Sequence, residues 1–214
     1  MLIDSSGFPF IFGALAVAAG LGLWLGLGFA LPFLVLAAFF TFFFRDPERR
    51  VPSAITSADV LSPADGTVLV AGAAMDGAAP PGSWKQISIF LSPMDVHVNR
   101  VPVSGRVTRV LLTRGRFLPA YRADAATDNE RSEIWIDHSG QIVVARQIVG
   151  ILARRVVCRL QGGEAVEAGQ RFGVMKFGSR MDVFVPQDAV VTVKVGDTVR
   201  GGETVIAVLH SKQP

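Results

Sequence analysis

A serine hydroxyl that directly follows a glycine can attack the carbonyl before it, because glycine lacks a Cβ and tolerates the strained backbone such an attack needs. The chain offers this pair at Gly178-Ser179, inside Phe172-Gly173-Val174-Met175-Lys176-Phe177-Gly178-Ser179-Arg180. Taken alone the pair reads as a turn, where glycine and serine are both common. Lys176 and Arg180 flank it as candidate partners for a carboxylate or phosphate, although such residues more often carry solvated surface charge.

Three other motifs keep it company. They are Ser62-Pro63-Ala64-Asp65-Gly66-Thr67-Val68, then Phe90-Leu91-Ser92-Pro93-Met94-Asp95-Val96-His97-Val98-Asn99-Arg100-Val101-Pro102, then Asn129-Glu130-Arg131. From Phe44-Arg45-Asp46-Pro47 almost to the C-terminus, this ordered set resembles phosphatidylserine decarboxylase in its short form. The resemblance implies that Ser179 attacks Gly178, that the resulting ester eliminates, and that the residue left behind hydrolyses to an N-terminal pyruvoyl group with loss of ammonia. Serine is required because it supplies both the attacking oxygen and the Cβ from which that oxygen departs. One precursor would thus give a large and a small chain, cut between 178 and 179. Phosphatidylserine would form an imine on the pyruvoyl ketone, lose carbon dioxide into that electron sink and leave as phosphatidylethanolamine. No lysine lies in a recognisable pyridoxal phosphate motif, and neither a metal nor a nucleic-acid partner is expected.

A serine oxygen is a weak nucleophile at neutral pH and needs a base. Asp65 and His97 are placed for that work by the resemblance, since the family cuts itself with an Asp-His-Ser arrangement. Asp65 matches the aspartate of its Pro-Ala-Asp-Gly motif, and His97 the first histidine of Ser-Pro-x-Asp-x-His. Longer members carry a second histidine three residues on. Here that position is Arg100, which leaves His97 open to cutting, decarboxylation or both, and Arg100 open to a phosphate contact. A second departure is Phe177-Gly178-Ser179-Arg180 where longer members have Leu-Gly-Ser-Thr. As a plain turn residue Asp65 would also make sense, because Ala-Asp-Gly is a turn signal. Asp137-His138-Ser139-Gly140 reads as a hairpin turn, and Cys158, the single cysteine, as a small buried residue.

The positioning elements begin with an apolar run. From Phe8 to Phe44 no residue is charged, longer than the ~20 residues one membrane span requires. Gly26, Gly28 and Pro32 predict a break and hence a hairpin of two short helices, with one long tilted helix as the runner-up. Arg45, Arg49 and Arg50 follow the run and no basic residue precedes it, which puts the remainder on the cytoplasmic side of the cell membrane. The chain has 21 Lys and Arg against 18 Asp and Glu, an excess that suits an anionic lipid surface and equally an ordinary mildly basic domain.

Residues 1–50 are therefore expected to anchor a catalytic domain at 51–214. Branched residues and partial alternation predict strands at Val68–Val70, Gln86–Phe90, Gly105–Val110, Glu133–Ile136 and Gln141–Val144. Ile148–Val157 is expected as strand, and Leu118–Asn129 as a loop suited to a lid. Ala189–Leu209, with tight turns at Gly196-Asp197 and Gly201-Gly202, resembles half of a lipoyl-type sandwich whose other half would start at Ser62. The fold class is mainly β, with lipoyl-like barrel-sandwich features behind an N-terminal hydrophobic helical hairpin. The alternative is a membrane-anchored lipoyl-like adaptor without catalysis, and a carrier domain with a modified lysine is a third. Neither explains the Gly-Ser, Asp-x-His and Asn-Glu-Arg motifs together. Oligomeric state is left open between monomer and homo-oligomer.

Overall fold

The computed structural model describes residues 2–151 and 156–210, and divides into two compact units, Met1–Glu48 and Arg49–Pro214. In the first unit the charge-free run forms α1 (Phe8–Leu25) and α2 (Leu27–Phe43), separated at Gly26, whose φ of 98° ends one helix and starts the next. The expected hairpin is thus present, broken at the first of the predicted positions. Short strands β1 (Leu2–Ile3) and β2 (Arg45–Asp46) pair and close its base. Phe10 packs on Phe40 and Phe44 there, with ring centroids 5.4 Å apart in each pair. Both helices are apolar on every side, and at the far end Trp24 is 89% exposed. A helix hydrophobic all round has no water-facing side, a pattern of membrane spans or deep cores. The helical stretch Ser5–Leu25 is long and apolar enough to cross a membrane.

The second unit is built from antiparallel strands: β3 (Asp59–Leu61), β4 (Gly66–Ala73), β5 (Trp84–Leu91), β6 (Val98–Arg100) and β7 (Gly105–Thr113). After the short helix α3 (Ala125–Asp128) come β8 (Arg131–His138), β9 (Gln141–Ile148), β10 (Val157–Cys158), β11 (Ala165–Val166), β12 (Arg171–Val174), β13 (Ser179–Pro186), β14 (Val190–Val191), β15 (Thr198–Val199) and β16 (Val205–Val208). Eight of them form the main sheet, in the order β11-β7-β8-β9-β13-β5-β4-β15. The five strands predicted between Val68 and Val144 lie within β4, β5, β7, β8 and β9. The alternation that revealed them also sorts their faces: Ile87, Ile89 and Leu91 on β5 share the core with Met181, Val183 and Val185 on β13.

Two smaller sheets cover this core. The order β10-β12-β6 contributes Phe172. The order β14-β16-β3, together with the β15–β4 pair, joins the C-terminal strands to the stretch around Ser62. The expected strand over Ile148–Val157 ends with β9 at Ile148 and resumes with β10 at Val157, and residues 152–155 between them lie outside the described residues. The Leu118–Asn129 loop contains α3, whose Ala125 and Ala126 are buried. Ser139 and Gly140 form the turn between β8 and β9, and His138 contacts the Ser104 carbonyl through Nδ1 at 2.7 Å.

Candidate active site

Ser179 is the first residue of β13, the strand flanked by β5 on one side and β9 on the other. It stands opposite Leu91. Its side chain therefore points into the core face with Met181, and it is fully buried. Its Oγ has no hydrogen-bond partner among the described residues. Buried hydroxyls nearly always find one, so this hydroxyl is held in an environment that does not satisfy it.

The backbone before it is bent into the left-handed region twice, with φ of 52° at Phe177 and 73° at Gly178. For glycine this is free, whereas for phenylalanine it costs ~1–2 kcal/mol. The Gly178 carbonyl is pressed against Gly150, where a Cβ would lie 1.9 Å from the oxygen. Only glycine at 150 lets the two backbones come this close. Gly150 is held in turn by its neighbour: Asn129 Nδ2 donates to the Val149 carbonyl at 2.8 Å and to the Leu118 carbonyl at 2.8 Å, while its Oδ1 accepts from Leu118 N at 2.9 Å. The asparagine of Asn-Glu-Arg thus ties the Leu118 loop to the segment touching the Gly178 carbonyl, a role that no local sequence signal reveals.

That loop walls an apolar cavity of about 390 Å³, lined by Phe90, Pro93, Tyr121, Ile151, Phe177 and Gly178 among others. Phe90 alternates with Ile89 and Leu91, so the cavity opens on the face of the main sheet opposite the Ser179 hydroxyl. Gly178, the residue before Ser179, lines it.

His97 is buried, its carbonyl accepting from Met175 N at 3.1 Å. Its Nδ1 lies 3.0 Å from the Asp95 carbonyl. A carbonyl can only accept, so Nδ1 carries a proton, and Nε2 is the nitrogen that is basic whenever the ring is neutral. Asp65 is engaged elsewhere. Its Oδ2 pairs with Arg49 at 2.6 Å and its Oδ1 accepts from Gly201 N at 2.8 Å, while Arg49 also reaches Glu203 at 3.1 Å. Arg100 is buried and donates to the Gly169 carbonyl at 3.0 Å, with Gly202 packed on its stem. Lys176 is half-buried.

Arg180 follows Ser179 and faces the other way. It is buried with Asp182 at 2.6 Å, and its guanidinium also donates to Ser88 Oγ at 2.8 Å. Asp182 is completed by Gln86 Nε2 at 3.0 Å. Beyond them Arg146 pairs with Glu133 at 2.9 Å and donates to the Ala78 carbonyl, and burial pushes its guanidinium below the usual range. Cys158 is half-buried, which raises its thiol above the ordinary value.

A sequence model described as phosphatidylserine decarboxylase matches residues 36–207, from within α2 to β16, which takes in every candidate site residue. The chain is 42% identical over 210 residues to a phosphatidylserine decarboxylase proenzyme of Nitrosomonas europaea, covering 98% of this chain and 96% of that one. The chain belongs to the phosphatidylserine decarboxylase family. Members of it so named in Cupriavidus taiwanensis (41% over 217 residues, covering 99% and 97%) and Chlorobium limicola (46% over 179 residues, covering 83% of each) give the same result. Membership makes the chain a decarboxylase, and the adaptor without catalysis falls away.

Proposed function

We propose that this chain cuts itself at Gly178-Ser179 and decarboxylates phosphatidylserine to phosphatidylethanolamine at the new end. The observation behind this is the buried Ser179 hydroxyl without a partner, directly after two left-handed residues. Attack by Oγ on the Gly178 carbonyl converts the peptide to an ester and relaxes the bend that holds Phe177. His97 Nε2 is the basic nitrogen assigned to move the proton. Asp65 completes the set as a carboxylate that must leave its ion pair with Arg49 before it can take one. Lys176 and Arg100 are assigned to the anionic headgroup; Arg180, committed to Asp182, serves it only through the strand they share.

The surroundings of position 179 fit a pyruvoyl group: the Ser179 side chain is fully buried on the core face, and Gly178 before it lines the apolar cavity. A ketone there supplies the electron sink that loss of carbon dioxide needs, which no ordinary side chain provides. The apolar cavity beside Gly178 suits the glycerol and first methylenes of a lipid, and the exposed apolar hairpin suits a bilayer, with the catalytic unit on the cytoplasmic side. Pulling a two-tailed lipid into water would cost ~0.8 kcal/mol for each exposed methylene, so the enzyme gains by working at the surface.

Intact mass of the purified protein tests the cutting. Two species are expected, residues 1–178 and residues 179–214 with a blocked N-terminus, and a fully active enzyme with an intact bond would sink the mechanism. Deleting residues 8–44 should lower activity on vesicles more than on detergent-dispersed substrate. Equal activity on both would remove the hairpin from the membrane role.

A further inference from the structure

Two buried amides meet on the same face as the Ser179 hydroxyl. Gln147 on β9 stands opposite Met181 on β13, so it shares the core face with Ser179. One diagonal step separates them, about 7–8 Å along the sheet. Asn99 on β6 is the register partner of Gly173 on β12, where a Cβ would lie 2.8 Å from Gln147 Nε2. The missing side chain lets the two amides touch.

Their orientation follows from their partners. Gln147 Nε2 lies 3.3 Å from the Val157 carbonyl and 2.8 Å from Asn99 Oδ1. A backbone carbonyl only accepts, which fixes the nitrogen of Gln147 toward it, and the atom of Asn99 facing that nitrogen must be oxygen. The couple is left presenting one acceptor, Gln147 Oε1, and one donor, Asn99 Nδ2. Both residues are fully buried, and neither atom has a hydrogen-bond partner among the described residues. Unpartnered buried polar atoms are rare enough that each asks for a reason. Here two of them share a face with the unpartnered nucleophile.

We infer that Asn99 and Gln147 form a subsite for the amino-acid end of the headgroup, Asn99 Nδ2 donating to its carboxylate and Gln147 Oε1 accepting from its amine. This rests on the phosphatidylserine activity proposed above. A neutral donor suits a carboxylate that must depart as neutral carbon dioxide. An arginine would stabilise the charged ground state more than the transition state and so slow the loss. The nearest arginine in sequence, Arg180, is turned to the other face and held by Asp182.

The test uses the matured two-chain enzyme and two readouts. One is calorimetric binding of 3-phosphoglycerate, which has the carboxylate and phosphate of the headgroup and no amine to react. The other is decarboxylation kinetics on phosphatidylserine in mixed micelles. Asn99→Asp keeps the acceptor for Gln147 Nε2 and replaces the donor by a carboxylate oxygen, so binding should weaken roughly 10- to 100-fold and KM rise in step. Wild-type binding and KM in that variant would overturn the subsite. Should the variant fail to mature, the wild-type enzyme decides: the side-chain amide resonance of ¹⁵N-labelled Asn99 must shift on titration with 3-phosphoglycerate, and an unmoved resonance overturns the subsite equally. A wild-type enzyme that leaves phosphatidylserine untouched defeats the proposed activity and the subsite with it, whereas an active wild type with an indifferent Asn99→Asp defeats the subsite alone.

Discussion

Successive residues of β13 send their side chains to opposite faces of the main sheet, and both faces are buried. On one, Arg180 and Asp182 meet each other, Ser88 and Gln86, with Arg146 and Glu133 paired beyond them. On the other, Ser179, Asn99 and Gln147 keep polar atoms without partners among the described residues. Depth of burial does not separate the two sets. Completion does: charges taken out of water must be matched before the sheet can form, while neutral hydroxyls and amides can be left partly unmatched for about 1–3 kcal/mol each. The matched face holds the strand, and the unmatched face carries the proposed nucleophile.

Ser179→Ala should break the comparison most sharply. Cutting and activity should vanish, yet the single uncut chain should fold and melt cooperatively, because the lost hydroxyl has no hydrogen-bond partner among the described residues. A variant that is still cut would move the nucleophile elsewhere. Asp182→Ala, three residues away, should do the reverse: it strands a buried guanidinium, and urea titration should show ~3–5 kcal/mol lost. Unchanged stability would mean that Arg180 finds water.

Gly150→Ala lies between the two. A Cβ 1.9 Å from the Gly178 oxygen forces that carbonyl to shift by more than an ångström, and misplacement on this scale slows a positioned reaction about a hundredfold. A time course of cutting on a denaturing gel reads it, and a wild-type rate would separate Gly150 from the scissile bond.

The smallest effect belongs to Cys158. Burial raises its thiol pKa, so the native state holds the proton more tightly than the unfolded chain does. That stabilisation is complete below the unfolded value of about 8.5 and fades as pH rises through the higher native one. Urea midpoints for wild type should therefore fall more steeply above that pH than those of Cys158→Ala, and parallel curves would show that the thiol titrates freely.

Much of this architecture is legible in the chain. Branched residues in alternation mark the central strands, a charge-free run with Gly26 marks the hairpin, and Gly178-Ser179 stands out by its neighbours. Sidedness is harder. That Ser179 looks inward and Arg180 outward is settled by pairing with Leu91 and Ile148, and nothing local to the dipeptide encodes it. Asn99 and Gln147 are 48 residues apart and meet only because β12 presents a glycine between them. Asn129 was visible as a motif, but its grip on Leu118 and Val149 exists only once the loop has closed.

The position of β13 in the sheet also bears on what the proposed cut would leave behind. The new small chain begins as an inner strand, laddered to β5 along its whole length and to β9 along most of it, and continues into β15 and β16, which lie against β4 and β3. Its release would require tearing out the middle of the core, so dilution cannot part the pieces. Mixing two isotopically distinct matured preparations should yield no hybrids: each molecule keeps for life the fragment it was synthesised with.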